Sequence, residues 1–302
     1  MTEDHPIVRL AEKIEPTFRR RIVQAIEQIQ AQIDLSRVMD AIRSGHMVAT
    51  GDAAQVPALS HLGEAVEPLI KQAFLNGAQH ALAGLPQAPK KDVGVSLSHA
   101  NPAAVAYARL QAAELVTVTQ ENAKELIRIL ISEGLARGES PFVIARRIRA
   151  VVGLTIPQGE AVEHFYERLQ PLLDDEKITL EQALARTDRY AVAKLRERAD
   201  MIARTETTTA LNTGQQAIWE QAETHGELNY DVTWRQWITT PDERICPICE
   251  PMDGEEARLD EPFVLIDSDE AGREVMIPGM DTHINCRCTF GLTFRRSDHA
   301  AD

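Results

Sequence analysis

The sequence predicts a mainly α-helical protein with a small α+β C-terminal unit, in which long helices lead to a short antiparallel sheet stapled by a zinc site. Three observations predict it. Apolar residues recur at steps of three and four from residue 7 to about residue 224, the mark of helices with one buried face. Beyond Gly226 apolar and polar residues alternate, the period of strands. All four cysteines lie in the last third of the 302 residues, in Cys246-Pro-Ile-Cys249 and His283-Ile-Asn-Cys286-Arg-Cys288.

Taken in order, residues 7 to 33 place Ile7, Leu10, Ile14, Phe18, Ile22, Ile26, Ile29 and Ile33 on one face, with Pro16 able to kink the helix. Leu35, Val38, Met39 and Ile42 make a short second helix, and Thr50-Gly-Asp52 reads as a loop. A third helix, about 58 to 83, completes an N-terminal helical region over 1–85. The Pro- and Gly-containing stretch that follows is a linker over 86–98. Asn101-Pro102 opens a long helix reaching Gly134, and Ser140-Pro141 restarts a short one with Ser140 as cap. Thr155-Ile-Pro-Gln-Gly reads as a loop before a helix from Pro157 to Leu173, closing a central helical region over 99–199. The last helix is expected over about 200 to 224. Strands follow at Leu228–Ile238, with Tyr230, Val232, Trp234 and Gln236 sharing a face, at Phe263-Val-Leu-Ile, at Val275-Met-Ile and at Cys286–Phe294. The α+β unit thus spans 200–295 and leaves a tail over 296–302.

Composition bounds the function. With 44 % hydrophobic residues the chain can build one large core or two ordinary ones. No run of about 18 apolar residues occurs, and the Met1-Thr-Glu-Asp-His-Pro start lacks the basic and apolar segments of a signal peptide, so no membrane contact and a reducing cytoplasm are expected. Residues 201–302 carry a net charge of −12 against −2 for residues 1–200. The cysteine-bearing half should therefore repel nucleic acid.

Two residues between Cys246 and Cys249 let one turn aim both sulfurs at a point, and His283, Cys286 and Cys288 offer the second half of a tetrahedral zinc site. Five candidates compete for four positions. Buried thiols and disulfides are the alternatives, and a thioredoxin-like role is disfavoured because Pro247 and Pro251 mark a turn rather than a helix start.

The helix before the cysteines is the most specific of the helical pieces. Ala203, Thr207, Ala210, Gly214 and Ala217 form a stripe of small residues that lets another backbone approach, expected to be the sheet of the same unit, while Gln215 should face away. Arg204 and Glu206 are two apart, cannot pair with each other on a helix, and are read as members of a structural network. Two basic clusters, Arg19, Arg20 and Arg21 in the first helix and Arg146, Arg147 and Arg149 near residue 140, read as solvated faces, with DNA phosphate contact as the second reading.

Ala-Arg204-Thr-Glu206 on a helix, a Trp-bearing strand, Cys246-Pro-Ile-Cys249-Glu-Pro-Met-Asp-Gly254 and His283-Ile-Asn-Cys286-Arg-Cys288 together resemble the phage Mu F-like head morphogenesis family of minor capsid proteins over about residues 140–292. Ile284 departs from the family's usual His-Pro at that place. The resemblance implies an internal component of a tailed-phage head: made with portal and scaffold in the host cytoplasm, carried inside the virion, and acting on head assembly and the fate of packaged double-stranded DNA. It implies the portal, major capsid or scaffold proteins as partners. Two function classes follow, a non-enzymatic assembly protein and, alternatively, a metal-dependent nuclease or transferase. Five soft or imidazole donors are enough to close a site that catalysis would need open, and no Gly-rich phosphate loop or nucleophile elbow occurs.

Overall fold

The computed structural model describes residues 5–44, 59–85, 101–228, 232–240, 245–279 and 281–295. The expected loop at 50–52, the linker over 86–98 and the tail over 296–302 lie outside the described residues. Helices are α1 (Pro6–Ala31), α2 (Leu35–Arg43), α3 (Leu59–Gly84), α4 (Pro102–Ala136), α5 (Pro141–Val151), α6 (Ile156–Glu167), α7 (Gln170–Asp174) and α8 (Leu180–Thr224). Among the described residues no helix is long and apolar enough to cross a membrane.

Local chemistry sets the helix starts. Asp34 accepts from the amides of Ser36 and Arg37, Asn101 from those of Ala103 and Ala104, and Ser140 from that of Val143. Two starts correct the sequence reading. Thr155-Ile-Pro-Gln158 is not a loop but a reciprocal capping box that opens α6, and α6 and α7 are separate helices rather than one. A second reciprocal pair, Thr179 with Gln182, opens α8 at Leu180, so the helix expected from Asp200 is 45 residues long.

The chain forms two compact units built from non-contiguous segments, 1–18 with 68–109 and 201–302, and 19–67 with 110–200. The second unit has an aliphatic core that includes Ile22, Ile26, Ile29, Ile144, Ile148 and Val151. Gly153 supplies a left-handed turn there, φ +91°, and a Cβ would stand 2.4 Å from Ile26. Its carbonyl accepts from the buried guanidinium of Arg198, which also reaches Thr119 Oγ1 at 3.0 Å.

In the first unit β1 (Thr233–Ile238) is the centre of an antiparallel sheet ordered β2-β1-β5, with β2 at Glu256–Arg258 and β5 at Thr289–Phe294. A second, two-stranded sheet pairs β3 (Phe263–Val264) with β4 (Glu274–Val275). β5 starts at Thr289, so Cys286 and Cys288 precede the strand. Trp234 and Gln236 share a face of β1, as expected, and it is the more open one, with Thr233, Arg235 and Trp237 buried on the other. Alternation alone could not rank an arginine above a tryptophan. Arg235 is buried because carbonyls take the place of water around it. It donates to Met276 O at 2.7 Å, Arg258 O at 3.2 Å, Glu261 O and Gln216 Oε1 at 3.2 Å, and lies over the rings of Phe263 and Phe290. Burial lowers its pKa to about 10, which leaves it charged at neutral pH. Trp219 meets Phe290, and Trp237 meets Phe263, edge to face.

The small stripe of α8 packs on a backbone, but on that of α3 and not on the sheet. A Cβ at Gly214 would lie 2.0 Å from Phe74 O and one at Gly77 would lie 1.9 Å from Leu211 O. The two glycines thus let α3 and α8 approach from both sides. Gln215 does not face away: it is buried and donates to Asn212 Oδ1 and Thr289 Oγ1 at 3.2 Å. Gly77→Ala and Gly214→Ala are each expected to destabilise the protein by at least about 1–3 kcal/mol, since a backbone carbonyl cannot rotate aside. Gly84→Ala, with nothing within 4 Å, should be neutral or stabilising. Thermal denaturation of the three variants checks this, and equal melting temperatures for all three would remove the close helix contact.

Candidate metal centre

Each half of the centre is shaped by its own backbone. After Cys246 the chain turns tightly, with Cys249 N and Glu250 N both donating to Cys246 O, and enters a 3-10 turn at Glu250–Met252. The amide of Cys249 also points at Cys246 Sγ, 3.3 Å away. In the second half His283 N donates to Gly279 O at 3.1 Å, and Cys288 N points at Cys286 Sγ at 3.4 Å. Gly279, φ +141°, runs so close to α8 that a Cβ would meet Thr209 Oγ1 at 2.6 Å.

These turns bring all five donors together. His283 Nε2 stands 2.9 Å from Cys246 Sγ and 3.1 Å from Cys249 Sγ, and Cys249 Sγ is 3.9 Å from Cys286 Sγ. The donors form two triads, Cys246 with Cys249 and His283, and Cys249 with Cys286 and Cys288, each within 4.8 Å. Cys249 belongs to both. His283 Nδ1 donates to its neighbour's carbonyl, Ile284 O, at 2.9 Å, which fixes the tautomer whose lone pair is on Nε2. Zinc–sulfur bonds of about 2.3 Å give a tetrahedral edge of about 3.8 Å, the Cys249–Cys286 spacing. The two imidazole–sulfur distances are shorter than such an edge and are hydrogen bonds. Cys249, Cys286 and Cys288 are buried, and Cys246 is half-buried.

Crowded thiols share protons unequally. Hydrogen bonds from Cys249 and Cys288 hold the Cys286 thiol well below its ordinary value, while the same contact pushes Cys249 far up. Beside the Cys286 thiolate His283 is pushed up to about 9. The cluster thus has the electrostatics of a site waiting for positive charge, which an imidazolium supplies in part and a dication would supply in full.

α8 holds the second half of the centre by its polar side. Arg204 Nη1 donates to Asn285 Oδ1 at 2.7 Å, and Thr205 Oγ1 accepts from Asn285 N at 2.8 Å. Asn212 Nδ2 donates to Pro278 O at 2.7 Å and Cys288 O at 2.9 Å. One helix therefore grips the loop at its start, middle and end.

A model described as phage Mu protein F like protein matches residues 125–291, a segment that contains all five donors. The chain belongs to that family. No curated protein and no solved structure matches it. The Mu F-like match begins inside α4 and ends inside β5, close to the 140–292 expected from the motifs. It includes Arg204 and Glu206. Arg204 faces Asn285 on one side and Glu15, at 3.7 Å, on the other, and Glu206 is buried in the helix. Sequence reading missed Thr205, Asn212, Arg235 and Asn285. The run of three threonines on one helix was the available signal, since threonine is a poor helix former unless something else uses it.

The basic clusters of this Mu F-like chain divide. Arg147 is no solvated or DNA-contact residue: it is 2 % exposed, pairs with Glu139 and Glu163, and lies 4.5 Å over Tyr166. Arg146 is engaged by Glu181 at 3.0 Å and Asp188 at 2.5 Å, and Arg149 is half-buried. Arg19, Arg20 and Arg21 are exposed, Arg19 meeting Asp200 at 3.1 Å. A further group of possible metal donors, Glu133, Glu163 and Glu167, surrounds the guanidinium of Arg137, which pairs with all three. Arg147→Met should cost up to about 3 kcal/mol, because Glu139 and Glu163 lose one of the two guanidiniums they share and keep only Arg137. Urea denaturation measures it; a variant as stable as the parent would show that the buried pair carries nothing.

Proposed function

We propose that the chain is a non-enzymatic minor capsid protein of a tailed phage or prophage. On this reading it acts in procapsid morphogenesis inside the head near the portal, and is made in the host cytoplasm. The family match carries this reading, and the donor cluster gives it a physical form: the C-terminal unit is a rigid module whose two loops are stapled by zinc. Cys246, Cys249, His283 and Cys286, linked by contacts of 4.0 Å or less, would hold the ion, with Cys288 as the fifth donor. Bound zinc would supply a cross-link and positive charge. The portal, the major capsid protein or the scaffold would dock on the module or on the helices. Packaged DNA, if touched, would meet the exposed Arg19, Arg20 and Arg21, since residues 201–302 carry −12.

The nuclease or transferase alternative finds less support. His283 Nε2 faces two sulfurs rather than open solvent. Glu256 is taken by Thr293 Oγ1 at 2.9 Å and by Arg295, whose hydrogen bond lowers its pKa.

Proton linkage gives the staple a pH signature. A raised His283 adds stability below about 6.5 that is lost as pH rises through about 9. A depressed Cys286 adds stability above about 9 that is lost as pH falls toward its folded value. Between those limits the pair holds as many protons folded as unfolded, and its contribution is flat. Zinc must expel protons from its thiol ligands and from His283, so its affinity should rise steeply with pH between about 6.5 and 7.5.

Structural zinc supplies on the order of 10–16 kcal/mol in small peptides, comparable with the whole stability of a domain. Protein purified without chelator should therefore carry about one zinc. Cys249→Ser, which breaks both triads, should lose the metal and open residues after about 245 to protease while the second unit survives. Metal-free wild-type protein with two disulfides would overturn the staple.

A further inference from the structure

The Arg204-Thr205 pair lies outside the donor set, yet both residues converge on one point of the metal loop. Asn285 sits between His283 and Cys286 with φ +74°, a left-handed conformation that non-glycine residues adopt at a cost. Its amide is bonded to Thr205 Oγ1, a buried hydroxyl, and its side-chain oxygen to Arg204 Nη1. Both contacts act on the residue whose backbone turn decides where His283 and Cys286 point relative to each other. Arg204 is itself steadied from the far side by Glu15, which burial raises and Arg204 and Arg287 lower in pKa.

We infer that Arg204 and Thr205 are positioning residues for the metal centre: by holding Asn285 in its left-handed turn they preset His283 and Cys286 to face Cys246 and Cys249. This rests on the zinc reading above. The small polar residues of α8 thereby acquire a task that packing alone does not explain, because Arg204 remains partly exposed and Asn285 is exposed. Outer-shell partners of this kind typically change metal affinity by about 10- to 100-fold without changing the ligands.

The test uses the full chain and titrates zinc against a chromogenic chelator, with cobalt as the spectroscopic probe. Thr205→Val and Arg204→Met should each weaken zinc by about 10- to 100-fold. At saturation both should still show the parent's tetrahedral cobalt spectrum, since no ligand is lost. Thr205→Ser, which keeps the hydroxyl, should bind like the parent. Asn285→Ala should be weaker than Asn285→Gly, which adopts a left-handed turn freely. If the wild-type chain binds zinc and every variant binds within twofold of it, whatever their melting temperatures, the positioning role is overturned and the zinc reading stands. If the wild-type chain binds neither zinc nor cobalt, the zinc reading fails and takes this inference with it.

Discussion

The unit that carries the donor cluster depends on one helix having two unlike sides. On one side of α8 Gly214 removes the side chain that would keep α3 away, and Gly77 does the same from α3, so two backbones meet at van der Waals distance. On the opposite side Thr205 and Asn212 fall about half a turn away from Ala203 and hydrogen-bond loop backbone that has no sheet partner of its own. The described residues of 278–279 and 281–288 form turns and bends but no helix or strand. Such a segment needs its amides and carbonyls satisfied before it can be buried. The polar side of α8 satisfies them, and this places the His283–Cys288 motif opposite Cys246 and Cys249.

Buried cations repeat the theme within each unit. Arg235 gathers the carbonyls of Arg258, Glu261 and Met276, and Arg198 and Arg147 do comparable work in the second unit, the first with a carbonyl and a hydroxyl and the second with two carboxylates. A guanidinium with five donors in a fixed plane can orient several acceptors at once, which a hydrophobic residue cannot. Burying such a charge is costly unless every donor is used, so these positions specify geometry more than they add stability.

Much of this was legible in the sequence. The helices up to Val151 follow from periodicity and from Asn101, Ser140 and Pro141, and the donor cluster follows from cysteine spacing. The start of α8 was also written, as Thr179-x-x-Gln182, but its weak apolar pattern hid a helix whose surface is largely charged. Alternation put Trp234 and Gln236 on one face of β1 but could not say which face is buried, and only tertiary carbonyls make Arg235 a buried residue. Likewise Arg147 looked like surface charge because its partners Glu139 and Glu163 are on different elements, and the α3 contact of Gly214 spans well over a hundred residues of chain. Long-range complementarity of this sort leaves no local period to read.

On the proposed reading, a phage Mu F-like head protein has use for a module whose shape is set before it docks. Here that shape rests on α8 gripping the loop and, on the proposed reading, on a cation joining its two halves. Hydrogen–deuterium exchange of the full chain, with zinc and after chelation, tests this most directly. The account requires the amides of 246–250 and 279–288 to lose protection together when zinc is removed, while the α8 amides near Gly214 stay slow. Unchanged protection of both loops after complete metal removal would contradict it.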